Sequence, residues 1–394
     1  MIYNIIEMLS DWLTAHGLYR YFMVFDQLNF RVFCSGLMSF LSVVVFGPKV
    51  IRWLKRQKIG DRPEFDHAEI NDKMKGKANT PTMGGMLIGG AMLASILLFA
   101  DLGNDYVKLA LAVLIWHAGV GGADDWLKLT ASSRPGQSRQ GLRSWEKLVF
   151  QLGIGVIVGV FAYQAGAVGV AEDGALSLAH AVNLPFQKTY ANPAAGVSPG
   201  LIYLSPIAYT LFMTLFMAGM SNAVNITDGM DGLATGIAAV IGIGLVVLCL
   251  VVGAEPAARQ LLVPYVPGAK ELAVVAGALG GATLGFLWWN CSPAHVFMGD
   301  TGSLCIGGLI GYIAVVIRME YVLVIMCAIY IWEILSVVIQ VGYFRKTGGK
   351  RFFRCAPYHH HLHILGWPEQ SIVVRFWILT IVSAGIALAS LKLR

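Results

Sequence analysis

Charge is what this sequence has least of. Only 13% of its 394 residues are Asp, Glu, Lys or Arg, against about 25% in soluble domains. With 56% hydrophobic residues, so few charges cannot cover a water-facing surface, and a soluble fold is excluded in favour of a polytopic membrane protein. The apolar runs lack the alternation of a membrane β-barrel, so the spans are expected to be helices. The six cysteines (Cys34, Cys249, Cys291, Cys305, Cys327 and Cys355) form no CxxC pair and sit mostly in or near apolar runs. They read as packing residues, not as disulfides or metal ligands. No Walker A run is present, which excludes a P-loop. No Ser or Cys nucleophile stands at a fixed spacing from a base. Residues 1–30 lack a basic start followed by a compact apolar stretch, so no cleavable signal peptide is expected. Their Trp12, Tyr19, Tyr21 and Phe22 suit a segment lying along the membrane interface. The net charge of +6 calls for no nucleic acid, because cytoplasmic loops favour Lys and Arg.

What is present is a series of about ten apolar stretches near the length of a span. They lie at roughly 32–48, 83–100, 107–122, 148–169, 201–220, 233–253, 272–289, 303–318, 321–342 and 374–391. The reading is an all-α integral membrane protein of one domain, residues 1–394, with about ten transmembrane helices. Basic residues set the sides. Lys49, Arg52, Lys55, Arg56, Lys58, Arg62, Lys73, Lys75 and Lys77 follow the first stretch. Lys128, Arg134, Arg139, Arg143 and Lys147 follow the third, and Arg345, Lys346, Lys350, Arg351 and Arg354 the ninth. The loop near 170–200 carries only Lys188. The positive-inside rule then places the segments after odd-numbered spans in the cytoplasm and both termini in the periplasm. By the same parity, five polar clusters converge on the cytoplasmic face.

The central cluster is Ser221–Gly232, where Asn222, Asn225, Asp228 and Asp231 recur every third residue between two apolar runs. Acidic and amide groups beside a membrane span are costly and usually mark a site. A tighter or unwound stretch would align them better than a regular α-helix, and Gly229 and Gly232 permit one. Before the second span stands Lys77-Ala78-Asn79-Thr80-Pro81-Thr82. Its hydroxyls, amine and exposed N–H groups would suit a phosphate, and a plain helix cap explains its Thr-Pro part equally well. Asp124-Asp125 ends the third span, with Lys128 one turn on. Adjacent carboxylates at a membrane surface suit Mg²⁺, and a solvated helix end with one ion pair is the plain alternative. Asn290 and Phe297–Ser303 offer an amide, a carboxylate (Asp300), hydroxyls and free N–H groups in a turn. Pro357-Tyr358-His359-His360-His361 lies in the basic segment after span nine. Imidazoles beside Arg351 and Arg354 suit pyrophosphate recognition or acid–base help. Glu333, inside span nine, is a further ionisable residue at membrane depth. Together these groups fit metal-assisted phosphoryl transfer between a nucleotide and a lipid acceptor.

These residues resemble the phospho-N-acetylmuramoyl-pentapeptide-transferase family, within the polyprenyl-phosphate N-acetylhexosamine-1-phosphate transferases. The likeness runs over nearly the whole chain and rests on Thr80–Gly85, Asp124-Asp125, Asn222–Gly232, Phe297–Ser303 and Ala356–His361, with Gly366-Trp367-Pro368 and Arg375-Phe376-Trp377. The resemblance implies Mg²⁺-dependent transfer of phospho-N-acetylmuramoyl-pentapeptide from UDP-N-acetylmuramoyl-pentapeptide to undecaprenyl phosphate in the bacterial inner membrane, giving lipid I and UMP. It implies catalytic roles for Asp124, Asp125, Asp300 and His359. Substrate contacts fall to Lys77, Thr82, Asn222, Asn225, Asp228, Asp231, Asn290, Ser303, His360 and His361. Metal ligation falls to Asp300, Asp228 and Asp231. A homodimer is compatible with the resemblance. Two alternatives stay open: the same chemistry on UDP-N-acetylglucosamine, and an ion-coupled transporter. Glu333 alone would suit the transporter, whereas the other polar groups crowd one surface instead of lining the midplane.

Overall fold

The computed structural model describes residues 1–57, 80–131, 141–167, 177–190 and 200–393. Lys58, Arg62, Lys73, Lys75, Lys77, Ala78, Asn79, Arg134 and Arg139 lie outside the described residues. Two short helices, α1 (Ile2–Met8) and α2 (Ser10–Ala15), open the chain. Then come α3 (Leu28–Arg56), α4 (Gly85–Phe99), α5 (Asp105–Ala131), α6 (Ser144–Ala167), α7 (Pro206–Thr227), α8 (Leu233–Val252) and α9 (Glu255–Leu261). The rest is α10 (Leu272–Asn290), α11 (Gly299–Val316), α12 (Glu320–Met326), α13 (Ala328–Lys346), α14 (Tyr358–Ile364) and α15 (Glu369–Ser390). The fold is all-α. Among the described residues, 9 helices are long and apolar enough to cross a membrane.

Each of the ten expected stretches meets a helix, with two differences. Helix α4 has 15 residues, about 22 Å of rise, short of a hydrocarbon core of about 30 Å. The ninth stretch is divided at Cys327 into α12 and α13, although no Pro or Gly flanks the break. Local signals account for other ends. Ser205 accepts the Ala208 N–H at 3.2 Å and Pro206 opens α7, a favourable N-terminal pair.

Helix α11 is the centre of the bundle, with 94% of its residues buried. It packs against α5 and α7, while α10 packs against α3 and α8. The two ends of α11 differ in chemistry. Its first turn holds Asp300. Past its other end, buried Arg318 pairs with Glu320 at 2.9 Å and donates to the Ala181 carbonyl. A second buried pair, Arg31–Glu271 at 2.7 Å, also donates to the carbonyl of Phe99, at the end of α4. The N-terminal segment docks at that same end of α4, where Asn4 meets Asp101 at 3.1 Å.

Candidate active site

The Gly299–Ser303 run is helix, not a free turn: it forms the first turn of α11. Gly299 makes the turn-in with φ +71, a left-handed conformation, and a Cβ there would lie 2.7 Å from Asp125 Oδ2. Only glycine meets both conditions without strain. The preceding strand-like segment is fixed by backbone bonds: Phe297 N donates to Pro81 O, and Gly84 N and Gly85 N donate to Phe297 O and Met298 O, all at 2.8 Å. This brings the Thr82 hydroxyl against Gly299.

Asp125 closes the same junction. Its Oδ1 accepts the Asp300 N–H at 3.0 Å, and its Oδ2 accepts the Thr301 N–H at 2.9 Å and the Thr301 hydroxyl at 2.6 Å. A carboxylate on the orphan N–H groups of a helix start satisfies them and complements the helix dipole. Asp125 therefore holds α11 in place, and with it Asp300.

Asp300 is fixed from both sides. Asn225, on α7, donates to its Oδ1 at 2.8 Å and also to Ser303 Oγ at 2.9 Å. Lys147, on α6, reaches its Oδ2 at 2.5 Å. The same ammonium lies 2.8 Å from Asp124 Oδ2, and Lys128 bridges the same two oxygens at 2.7 and 3.2 Å. Asp124 Oδ1 accepts the Leu142 N–H at 2.6 Å. One carboxylate oxygen from each of Asp124, Asp125 and Asp300 lies within 4.8 Å of the others. This buried all-oxygen donor set suits a hard divalent cation.

The Asn/Asp stretch splits across an element boundary. Asn222 and Asn225 belong to α7, while Asp228 and Asp231 lie in the turn before α8. Asn222 faces away from the aspartates, donating to Gln151 Oε1 at 2.7 Å. Asp228 is half-buried near Asp300 and Asp125, and loss of solvent first, then those two charges, push its carboxyl up to about 8. Asp231 accepts the Ala294 N–H at 3.1 Å. Asn290 is engaged within the protein on both amide atoms, accepting from Gly232 N and Thr235 Oγ1 and donating to Val296 O. It pins the turn that carries Asp231.

The histidine run is the start of α14. His359 is fully buried, its Nδ1 3.0 Å from Glu333 Oε2 and its N–H donating to Glu333 Oε1 at 3.2 Å. Its Nε2 has no hydrogen-bond partner among the described residues and abuts the Asp228–Gly229 turn: a Cβ on Gly229 would lie 2.3 Å from it. His360 lines a cleft of about 580 Å³ with Asp228, Gln340, Arg345 and Arg351. His361 Nδ1 accepts the Arg354 N–H at 3.2 Å. Burial, then the Arg354 charge, lowers the His361 pKa, in keeping with a neutral acceptor.

Lys147 is the site residue that sequence reasoning passed over, treating it only as a positive loop charge. Its signal was Gln151 one turn on, a second polar residue on the same face of a mostly apolar helix.

The family model for glycosyl transferase family 4 matches residues 107–318, which takes in Asp124, Asp125, Asn225, Asp228 and Asp300. The chain is 41% identical to the phospho-N-acetylmuramoyl-pentapeptide-transferase of Nitratidesulfovibrio vulgaris strain DP4, covering 100% of both chains. It is 40% identical, with the same coverage, to the proteins of that name from Oleidesulfovibrio alaskensis and Solidesulfovibrio magneticus. The chain belongs to the phospho-N-acetylmuramoyl-pentapeptide-transferase family.

Proposed function

We propose that this chain transfers phospho-N-acetylmuramoyl-pentapeptide from UDP-N-acetylmuramoyl-pentapeptide to undecaprenyl phosphate in the bacterial inner membrane, with the Asp124–Asp125–Asp300 cluster as its centre. The activity follows from identity of about 40% over full length to enzymes of that name. The observation that carries the site assignment is the convergence of three carboxylates within 4.8 Å, joined by two lysines. In the bond change, an oxygen of the lipid phosphate forms a bond to the sugar-linked phosphorus, and the bond from that phosphorus to UMP breaks. UMP leaves with the electron pair.

A phosphate monoester has a second pKa near 6 and is mostly a dianion at pH 7. The attacking oxygen therefore needs no strong base, and the aspartates act chiefly by holding charge in place. Mg²⁺, held by Asp300 and Asp124 with Asp228 adjacent, would supply Lewis-acid stabilisation of the phosphoryl oxygens. Asp125 and Asn225 orient Asp300. Lys128 and Lys147 offset negative charge among the carboxylates and on the phosphates. His359, backed by Glu333, places Nε2 at the Asp228–Gly229 turn.

The membrane arrangement follows the charge pattern: ten spans, α4 included, with both termini periplasmic and the aspartates cytoplasmic. The Asp300 end of α11, where Lys128 of α5 and Lys147 of α6 converge, is then the cytoplasmic end, and the Arg318–Glu320 end the periplasmic one.

The test is UMP release by detergent-solubilised protein given undecaprenyl phosphate and Mg²⁺ with either UDP-N-acetylmuramoyl-pentapeptide or UDP-N-acetylglucosamine. Release with the muramoyl donor alone, lost with EDTA and in Asp300→Ala, is expected. Release with only the other donor would move the assignment to the sister branch.

A further inference from the structure

We infer that Lys147 is an exchangeable counter-cation: its ammonium holds the carboxylate oxygens through which a divalent cation would bind, and cation loading turns it toward the phosphates of the nucleotide. This deepens the proposed function and rests on the metal role given there to Asp124 and Asp300.

The assignment comes from how each oxygen of the cluster is engaged. Both oxygens of Asp125 are tied to the start of α11. Asp300 Oδ1 is tied to Asn225 and Asp124 Oδ1 to the Leu142 N–H. The Oδ2 atoms of Asp124 and Asp300 remain, and the Lys147 ammonium sits between them, 2.8 and 2.5 Å away. A Mg²⁺ ion sits about 2.1 Å from its ligand oxygens. A divalent cation on these two atoms and an ammonium within 3 Å of both would therefore be in strong repulsion.

Of the groups involved, the lysine is the one able to move. The carboxylates are clamped by uncharged donors on α7 and on the loop before α6, whereas Lys147 hangs on a flexible four-carbon stem. Lys128 shares the same oxygens, but its side chain is 42% exposed and can pass to water. The Lys147 side chain is only 18% exposed and has no third carboxylate partner among the described residues. Displaced, it needs another anion nearby, and a phosphoryl oxygen of the nucleotide fits. Metal and nucleotide phosphate should then bind with positive coupling, because each relieves the conflict the other meets. Such coupling is reciprocal.

The experiment titrates Mn²⁺, an EPR-visible probe, into the full chain in detergent, with and without UMP. Wild type, Lys147→Met and Lys147→Arg are compared, with melting curves to check folding. Without UMP, Lys147→Met should bind Mn²⁺ about ten-fold more tightly than wild type, and UMP should tighten Mn²⁺ binding to wild type by a similar factor, within the usual range of coupling between sites. In Lys147→Met the coupling should fall to near unity, and Lys147→Arg should recover part of it. Unchanged or weaker Mn²⁺ binding in Lys147→Met would overturn the exchange and leave the metal site standing. Mn²⁺ and UMP binding independently to wild type would overturn it without any variant. Failure of wild type to bind Mn²⁺ at all would overturn both the exchange and the metal reading.

Discussion

Asp125→Ala separates a residue that holds the site from one that performs its chemistry. In the wild type its carboxylate receives two backbone N–H groups and a hydroxyl at 2.6–3.0 Å, at a position 3% exposed. Removing it leaves the N–H groups of Asp300 and Thr301 without acceptors. A buried unsatisfied donor costs about 1–3 kcal/mol, while loss of a helix cap costs about 0.5–2 kcal/mol. The Thr301 hydroxyl can rotate to another acceptor, so the expected loss is roughly 2–4 kcal/mol. Asp125→Asn keeps one acceptor oxygen and should lose about half as much. Asp300→Ala is the contrast. Lys147 and Lys128 keep Asp124, and Asn225 keeps Ser303, so no partner is left unpaired and stability should fall by only about 1 kcal/mol. Thermal unfolding in detergent and UMP release are measured on the same preparations. Domains of 150–250 residues shift by about 2–4 °C per kcal/mol and larger chains by less, so Asp125→Ala should melt roughly 5 °C low. Asp300→Ala should melt near wild type and release no UMP. If Asp125→Ala melted with wild type yet released no UMP, the capping assignment would be wrong and Asp125 would act on substrate or metal directly.

Gly229→Ala should push the His359 ring out of place, since the added Cβ falls 2.3 Å from Nε2. Turnover is expected to drop about 10²-fold, the lower range for acid–base groups, with about 1–3 kcal/mol of stability lost to overpacking around the buried ring; unchanged turnover would remove His359 from the chemistry. At the other end, Arg31→Met leaves Glu271 buried and unpaired and should cost about 3–5 kcal/mol. The double change Arg31→Met with Glu271→Met should recover most of that loss in a melting curve, and no recovery would mean the pair does more than balance charge. Asp228 predicts a pH dependence in EDTA. Its folded pKa, about 8, lies above the ordinary carboxylate value, so the folded state holds more protons than the unfolded one between about pH 4 and 8. Stability should therefore decline as pH rises through that window and level off above it. Asp228→Asn should flatten the decline, and an equal slope in both proteins would place the titration elsewhere.

The parts of the site legible in the sequence were those whose chemistry is improbable where it stands. Asp124-Asp125, Asp300 and the histidine run are polar groups beside apolar spans, and that cost alone singles them out. Helix positions were legible for the same reason, through long apolar runs. Partnership was not. Asn222 and Asn225 stand one turn apart on α7 with the same side-chain chemistry, yet only Asn225 reaches Asp300, while Asn222 joins Gln151. A rotation of about 300° over three residues decides between them, and only the packing of α6 and α11 against α7 fixes which direction faces the aspartates. Glu333 and His359, 26 positions apart, were each conspicuous, but their contact depends on α14 folding back onto α13. Lys147 was hidden more thoroughly, because the positive-inside rule already accounts for a lysine at that point in the chain. Topology alone explains that residue, yet its ammonium lies between the two carboxylates where metal and phosphate would meet. Basic residues in the first turn after a cytoplasmic loop therefore carry two meanings at once. Those whose helix continues with a second polar residue on the same face, as Lys147 does with Gln151, are the ones to bring into the site before the loop count is made.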